Sequence, residues 1–393
     1  MPRTKADSCP GVLRLHEAAD GPLARVRIPG GRLAPEQMQS LAEAAHRLGD
    51  GNIELTSRGN MQLRQVRDAA ALADLLGAAG LLPSRTHERV RNIIASPLTG
   101  RIGPHPDIRP LVSALDARLL DSPRLAGLPG RVLFTVDDGR GDVSGLRPDI
   151  GVHALDDDRF ALLLAGRDSG VRIPAADAVD ALVAAAHGFL ELGTGQWRLY
   201  EVEDGVERLT ELLGHSPGTE RLEIADTVDP PIGWLPQDDG LVALGAGVRL
   251  GSLPARTAEF LAAIDRPVLI TPWRGLVVTD LDEWPAEQVV RVLAPMGLIF
   301  DSSSPWLRIT ACAGQPGCAK SHTDVRADAS AAVESGRTTA PGSPAAGVIP
   351  PEKVVTGGRQ HWSGCDRRCG RPTGQVTDVT ATPDGYRVAV PGK

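Results

Sequence analysis

Four cysteines crowd the last quarter of a 393-residue chain: Cys312 and Cys318 in ACAGQPGCAKSH, and Cys365 and Cys369 in HWSGCDRRCGRP. Four thiolates in two close pairs suit either zinc or an iron-sulfur cluster. A structural zinc site usually takes each pair from a turn two to four residues wide. Here five residues separate the first pair and three the second. The AGQPG between the first pair and the SG before the second are small and turn-rich, so backbone N–H groups can approach sulfur and support a cluster's negative charge. The spacing therefore favours an iron-sulfur cluster over zinc; four unligated core cysteines are the remaining alternative. Cys9 stands alone at the far end and reads as a small buried or terminal residue.

The composition narrows the setting of this chemistry. With 42% hydrophobic residues the chain can bury a sizeable core, and a net charge of -7 without a basic block gives no attraction to nucleic acid or an anionic membrane. No apolar run reaches the length of a membrane span, and MPRTKADSCPG has no signal-peptide core, so a cytoplasmic protein is expected. Five cysteines grouped in this way do not form a disulfide framework. The cations are 38 arginines and 4 lysines, with no lysine between Lys5 and Lys320.

The elements that must hold these residues repeat. GPLARVRIPGGRLAPEQMQSLAEAAHRLGDGNIELTSRGNMQL reads as strand, turn, helix and strand: Val26 and Ile28 alternate with Arg25 and Arg27, Pro35 suits a first helical turn, Met38, Leu41, Ala45 and Leu48 follow at helical spacing, and Gly49 and Gly51 end the helix. The same order returns in DGLVALGAGVRLGSLPARTAEFLAAIDRPVLITPWRGLVVTDL, and the second strand carries Thr and Arg-Gly in both copies, at Arg58-Gly59 and Arg274-Gly275. VRNIIASPLTGRIG and LRITACAGQPGCAK extend the parallel, with cysteines only in the second. Residues 105–225 alternate helices with short strands such as RVLFTVDD and FALLLAG, so the class is α+β with mixed sheets. The stretch 336–358 is the expected flexible loop.

Cys-x5-Cys, a later Ser-Gly-Cys-x3-Cys, an early Thr-x-Arg strand and an internal repeat together resemble the nitrite and sulfite reductase superfamily over nearly the whole chain. The resemblance implies a pseudo-twofold pair of ferredoxin-like half-domains, at 1–75 and 231–290, and reductase-like domains at 76–230 and 291–393. It also implies a [4Fe-4S] cluster on Cys312, Cys318, Cys365 and Cys369, the last lying against sirohaem in the family. Arg58 of LTSRGNMQL, and Arg91 with Asn92 of VRNIIASP, fall where the family places residues of its tetrapyrrole site. Guanidinium holds a carboxylate bidentately and stays charged, which suits a carboxylate-fringed ring. Arg64 and Arg101 are further candidates.

One departure selects a branch. The reductases carry two lysines, two residues apart, where this chain reads LPGRVLFTVDD, with Arg131 at the first position and Leu133 at the second. Leucine neither pairs with an oxyanion nor relays a proton. The tail GRPTGQVTDV also lacks the family's acidic residue. These features and the opening CPGVLRLHEAADGPLARVRIPGG resemble the precorrin-3B synthase branch. That branch implies hydroxylation of precorrin-3A at C20 with O2 and closure of a γ-lactone, with Arg58, Arg91, Asn92 and Arg131 on the substrate's carboxylates. A second, mononuclear non-haem iron is implied as well; His105, His322 and His361 are candidates for it by position only. An external electron donor is expected, an NADH-linked reductase or a ferredoxin, since no Gly-x-Gly-x-x-Gly follows a strand. The alternatives are a sirohaem sulfite or nitrite reductase, and a cluster-bearing electron-transfer or tetrapyrrole-binding protein without chemistry of its own.

Overall fold

The computed structural model describes residues 7–193, 195–225, 228–338, 347–354 and 357–390. Its first segment runs β1 (His16–Ala18), β2 (Gly21–Val26), β3 (Arg32–Leu33), α1 (Pro35–Leu48), β4 (Asn52–Leu55), β5 (Met61–Leu63) and α2 (Ala69–Ala78). Helix α1 starts at Pro35, whose missing N–H is no loss in a first turn, and buries Met38, Leu41, Ala42, Ala44 and Ala45. Strand alternation places Ala24, Val26, Ile53, Leu55, Met61 and Leu63 in the core, leaving Arg25, Glu54 and Gln62 on the opposite face.

The next segment comprises β6 (Ile93–Ala95), α3 (Arg109–Asp121), β7 (Phe134–Asp137), β8 (Ile150–Ala154), β9 (Arg159–Leu164), β10 (Arg167–Pro174), α4 (Ala178–Leu192) and α5 (Gly205–Leu212). Strands β6, β7 and β8 are parallel, and β9 and β10 continue the sheet antiparallel.

The pattern then recurs. The third segment has β11 (Gly233–Pro236), β12 (Val242–Val248), β13 (Ser252–Pro254), α6 (Ala255–Ala263), β14 (Val268–Ile270), β15 (Gly275–Leu281), α7 (Glu283–Leu293) and β16 (Leu298–Ile299). The fourth has β17 (Ile309–Ala311), α8 (Val325–Glu334), β18 (Val348–Ile349), β19 (Gln360–Ser363), β20 (Thr377–Thr382) and β21 (Gly385–Ala389). Here β17, β19 and β20 are parallel, and β21 and β18 antiparallel, as in the second sheet. Of the expected loop at 336–358, residues 339–346 and 355–356 lie outside the described residues; β18 between them is an edge strand.

Two features bind the repeats. The short strands are exchanged: β3 of the first copy pairs with β14, and β13 of the second pairs with β4. One hydrophobic core also spans both copies, joining Leu41 and Ala45 to Ala258, Leu261 and Val268. The close approach demands glycine at Gly31, where φ is +72° and an added Cβ would lie 2.2 Å from the Ile270 carbonyl oxygen. No helix among the described residues is long and apolar enough to cross a membrane.

Candidate active site between the first sheet and the cysteine loops

The cysteines leave the C-terminal ends of adjacent parallel strands. Cys312 follows β17 directly and Cys365 follows β19 by two residues, so strand pairing brings both loops to one sheet end, the usual place for a site in such sheets. The Cys312 N–H donates to the Trp362 carbonyl at 3.0 Å. The Gly364 N–H donates to Cys312 Sγ at 3.2 Å. A Cβ on Gly364 would sit 1.8 Å from Ser321 Oγ, so only glycine lets this amide reach the sulfur. Burial raises the Cys369 thiol pKa, and Cys312, Cys365 and Cys318 reinforce the shift, which identifies all four as electrostatic neighbours. Among the described residues, no group of three or more His, Cys, Asp or Glu side chains is drawn together tightly enough for a single metal ion.

His361 is fully buried beside this group. Its Nδ1 lies 2.9 Å from Thr310 Oγ1, while its Nε2 is buried without a hydrogen-bond partner. Burial, aided by Arg274, lowers its pKa to about 4, so the ring is neutral. His322 is exposed, and His105 belongs to the loop after β6, away from β17 and β19 in the chain's topology.

Arginines from several elements secure the cysteine loops. Arg64 Nη2 donates to the Gly317 carbonyl at 2.9 Å while its fork holds Asp20 at 2.7 and 2.6 Å. Arg274 Nη1 donates to the Ala311 carbonyl, and Arg326 Nε to that of Cys312. Arg326 also pairs with Glu54 at 2.6 Å. Glu54 accepts from Gln62 Nε2, and Gln62 Oε1 accepts from Arg25 Nε at 2.8 Å. A continuous polar row thus runs across the first sheet, from Arg25 through Gln62, Glu54 and Arg326 to the backbone of Cys312.

At the other end of that row, Arg27, Arg58 and Arg131 gather with no carboxylate in hydrogen-bond distance among the described residues; Asp7 Oδ1 lies 3.8 Å from Arg131 Nε. Arg27 is 2% exposed; its Nη2 donates to the Pro10 carbonyl at 3.2 Å, and its Nε and Nη1 have no partner. Burial, with Arg25 adding to it, pushes its pKa down to about 9. Arg58 is held down to about 10, by burial and then by Arg198. Its Nη1 donates to the Arg131 carbonyl at 2.9 Å, and no carboxylate among the described residues pairs with it. Arg131 is half exposed, its guanidinium 4.8 Å from the Trp197 ring centroid. Buried cations lacking anions are costly. Guanidinium groups placed in this way can bind carboxylates.

The other sequence candidates have protein partners. Arg91 forks onto Asp116 of α3 at 2.7 and 2.6 Å. The Asn92 amide donates to the Arg89, Gly130 and Val132 carbonyls, and its oxygen accepts from Asn60. Asn92 therefore ties the Arg131 loop to the Arg58 loop. Arg64 is committed as above, and Arg101 forks onto Asp280. Leu133 is 3% exposed, packed with Ile94 and Val143. Sequence reasoning missed Arg25 and Arg27. The signal was their alternation with Val26 and Ile28, which reads equally well as a solvated strand face.

Comparisons with known proteins agree with this architecture. Residues 16–79 match the nitrite/sulfite reductase ferredoxin-like half domain. A precorrin-3B synthase from Sinorhizobium sp. is 27% identical over 404 residues, covering 98% of this chain and 83% of that protein. A ferredoxin–nitrite reductase from Synechococcus elongatus is 26% identical over 412 residues, covering 91% and 75%. The solved structure of the Mycobacterium tuberculosis NirA protein superposes with a TM-score of 0.76 at 18% identity, over 94% of this chain and 74% of that one. The chain is thus similar over nearly its whole length to proteins of the nitrite and sulfite reductase superfamily, and its residues 16–79 carry that family's ferredoxin-like half domain.

Proposed function

We propose that this oxidoreductase acts as a precorrin-3B synthase, hydroxylating precorrin-3A at C20 with O2 and closing a γ-lactone. The observation that carries the choice of branch is Leu133. Where the reductases carry a second lysine, this chain buries an apolar side chain against Ile94 and Val143. The lysines among the described residues, Lys320 and Lys353, are exposed and lie in the last quarter of the chain. Nitrite or sulfite reduction needs several protons delivered to a bound anion. Arginine at position 131 can bind an anion, but a guanidinium is a poor proton donor.

The substrate's carboxylate fringe supplies the anions that Arg25, Arg27 and Arg58 lack. In this reading those three grip carboxylates together with Arg131, while Arg91 and Asn92 fix the loops that present Arg58 and Arg131. Cys312, Cys318, Cys365 and Cys369 fit a [4Fe-4S] cluster: the donor set is all thiolate, and Gly364 donates to one sulfur. Such a cluster would supply single electrons, and a separate mononuclear iron would supply dioxygen chemistry. A neutral His361 with an unpartnered Nε2 beside Cys369 is the side chain best placed to accept a hydrogen bond from whatever lies against the cluster.

A sirohaem nitrite or sulfite reductase is the second reading, favoured by the nearly equal likeness to the Synechococcus elongatus enzyme. One pair of assays separates them. Purified protein given precorrin-3A, O2 and a reductant is expected to yield a product heavier by one oxygen. Turnover of nitrite or sulfite with reduced methyl viologen, at about one per second or faster, would overturn the proposal.

A further inference from the structure

The arginine cluster carries a roof. Residues 7–10 lie against it, and their carbonyls accept from arginines of the cluster or its rim. The Pro10 carbonyl accepts from Arg27 Nη2. The Asp7 and Cys9 carbonyls accept from Arg89 Nη1 at 3.4 and 3.5 Å. Beyond Pro10 the chain is anchored: Glu88 Oε2 accepts from the Val12 and Leu13 N–H groups at 2.5 and 2.9 Å. The segment is thus a strap, held beyond Pro10 by Glu88 and laid against Arg27, Arg89 and Arg131.

Asp7 gives this strap its chemistry. It is 8% exposed and brings the strap's one carboxylate to the cluster. Its Oδ1 accepts the Cys9 N–H at 3.0 Å and lies 3.8 Å from Arg131 Nε. Its Oδ2 lies 3.8 Å from Arg89 Nη1 and has no hydrogen bond. Both arginine contacts are about an ångström longer than a formed N–H···carboxylate bond. A carboxylate with an unpaired oxygen therefore sits between Arg131 and Arg89, near enough to attract both and too far to bond either. A carboxylate free to choose its position would satisfy both sides.

We propose that Asp7 is a resident carboxylate that keeps the arginine site closed, and that an incoming ligand carboxylate takes its place and lifts the strap from its Asp7–Pro10 end. This rests on the reading that the substrate is a polycarboxylate tetrapyrrole. A ligand must outbid an internal competitor, so several carboxylates acting together succeed where a single one does not.

The test uses the full-length protein, uroporphyrin I as an octacarboxylate probe, and iodoacetamide labelling of Cys9 quantified on its own peptide by mass spectrometry. Wild-type protein is expected to label faster at Cys9 once uroporphyrin is bound. Asp7→Asn is expected to bind uroporphyrin about five-fold tighter, because the closed state no longer competes, and to label several-fold faster without ligand. Circular dichroism matching wild type verifies that the variant is folded. Unchanged affinity and labelling in Asp7→Asn would overturn the proposal. So would uroporphyrin binding to wild type without any change at Cys9, an outcome that leaves the tetrapyrrole reading intact. If neither protein binds uroporphyrin, the tetrapyrrole reading fails, and ligand-free labelling decides alone: faster labelling in the variant upholds Asp7 as the latch, and equal labelling removes it.

Discussion

The two half-domains place different side chains on equivalent positions of the same sheet. In the first, the register Arg25 to Gln62 to Glu54 makes a polar row. In the second, the corresponding row is Gly245, Val277 and Leu269. There Leu269 and Val277 form a small apolar cluster with Ala243, against which Leu98 and Leu235 pack. Arg27 has its counterpart in Gly247, where an added Cβ would meet Leu307 at 2.3 Å. The adjoining sheets differ in the same sense. Cys312 follows β17, whereas Ser96 follows β6 and donates to Asp142 Oδ1 at 2.6 Å. Asp137 accepts from the N–H groups of Gly139, Gly141, Val143 and Ser144. One face carries a charged and polar row; its counterpart is filled by apolar side chains.

The comparison breaks most sharply at the cysteines. Cys365→Ala is expected to lose most of the iron, sulfide and cluster absorbance, because a cluster missing one thiolate rarely persists, whereas Cys9→Ala and Ser96→Ala keep full content. Full iron and sulfide in Cys365→Ala would remove the distinction between the two ends. Next comes the charged row. Arg27→Met should weaken uroporphyrin binding by some tens of fold, on the order of 2 kcal/mol, and should also raise the urea midpoint of the ligand-free protein, since an apolar side chain replaces an unpaired buried charge. Loss of binding together with loss of stability would show that Arg27 is structural.

The smallest effect on the ligand face comes from the closed one. Burial raises the Asp142 pKa to about 7, with Asp137 adding to the shift. Between the ordinary carboxylate value of 3.8 and about 7, the native chain holds a proton that the unfolded chain has released, so this contribution to stability is lost as pH rises through that window. Asp142→Asn keeps the acceptor for Ser96 without the charge. It should be more stable than wild type at pH 8 and little different at pH 4, as read from urea unfolding at both pH values. A pH-independent difference would mean that the carboxyl is ionised throughout.

The repeat, the α+β class and the cysteine loops were legible in the sequence because each is local: a proline-started helix, an Arg-Gly turn, two cysteine pairs. Long-range pairing was not. VRN suggests that Arg91 faces a ligand, yet nothing near it in the chain announces that Asp116, on a helix 25 residues later, takes both arms of its fork. The exchange of β3 and β13 was equally hidden, since strands of two and three residues leave no periodicity. Arg25 and Arg27 were visible as residues but not as a site, because alternation states which side chains share a face and not what covers it.

That strand exchange bears on ancestry. Two copies that trade equivalent strands and share one core have the geometry of a swapped symmetric dimer whose subunits are joined in a single polypeptide. Identical subunits inherit every substitution twice, so a dimer must keep two sites or lose both. Joining the copies lifts that constraint: one face could retain its arginines while the other traded them for glycine, valine and leucine, and the closed copy became scaffold for the open one.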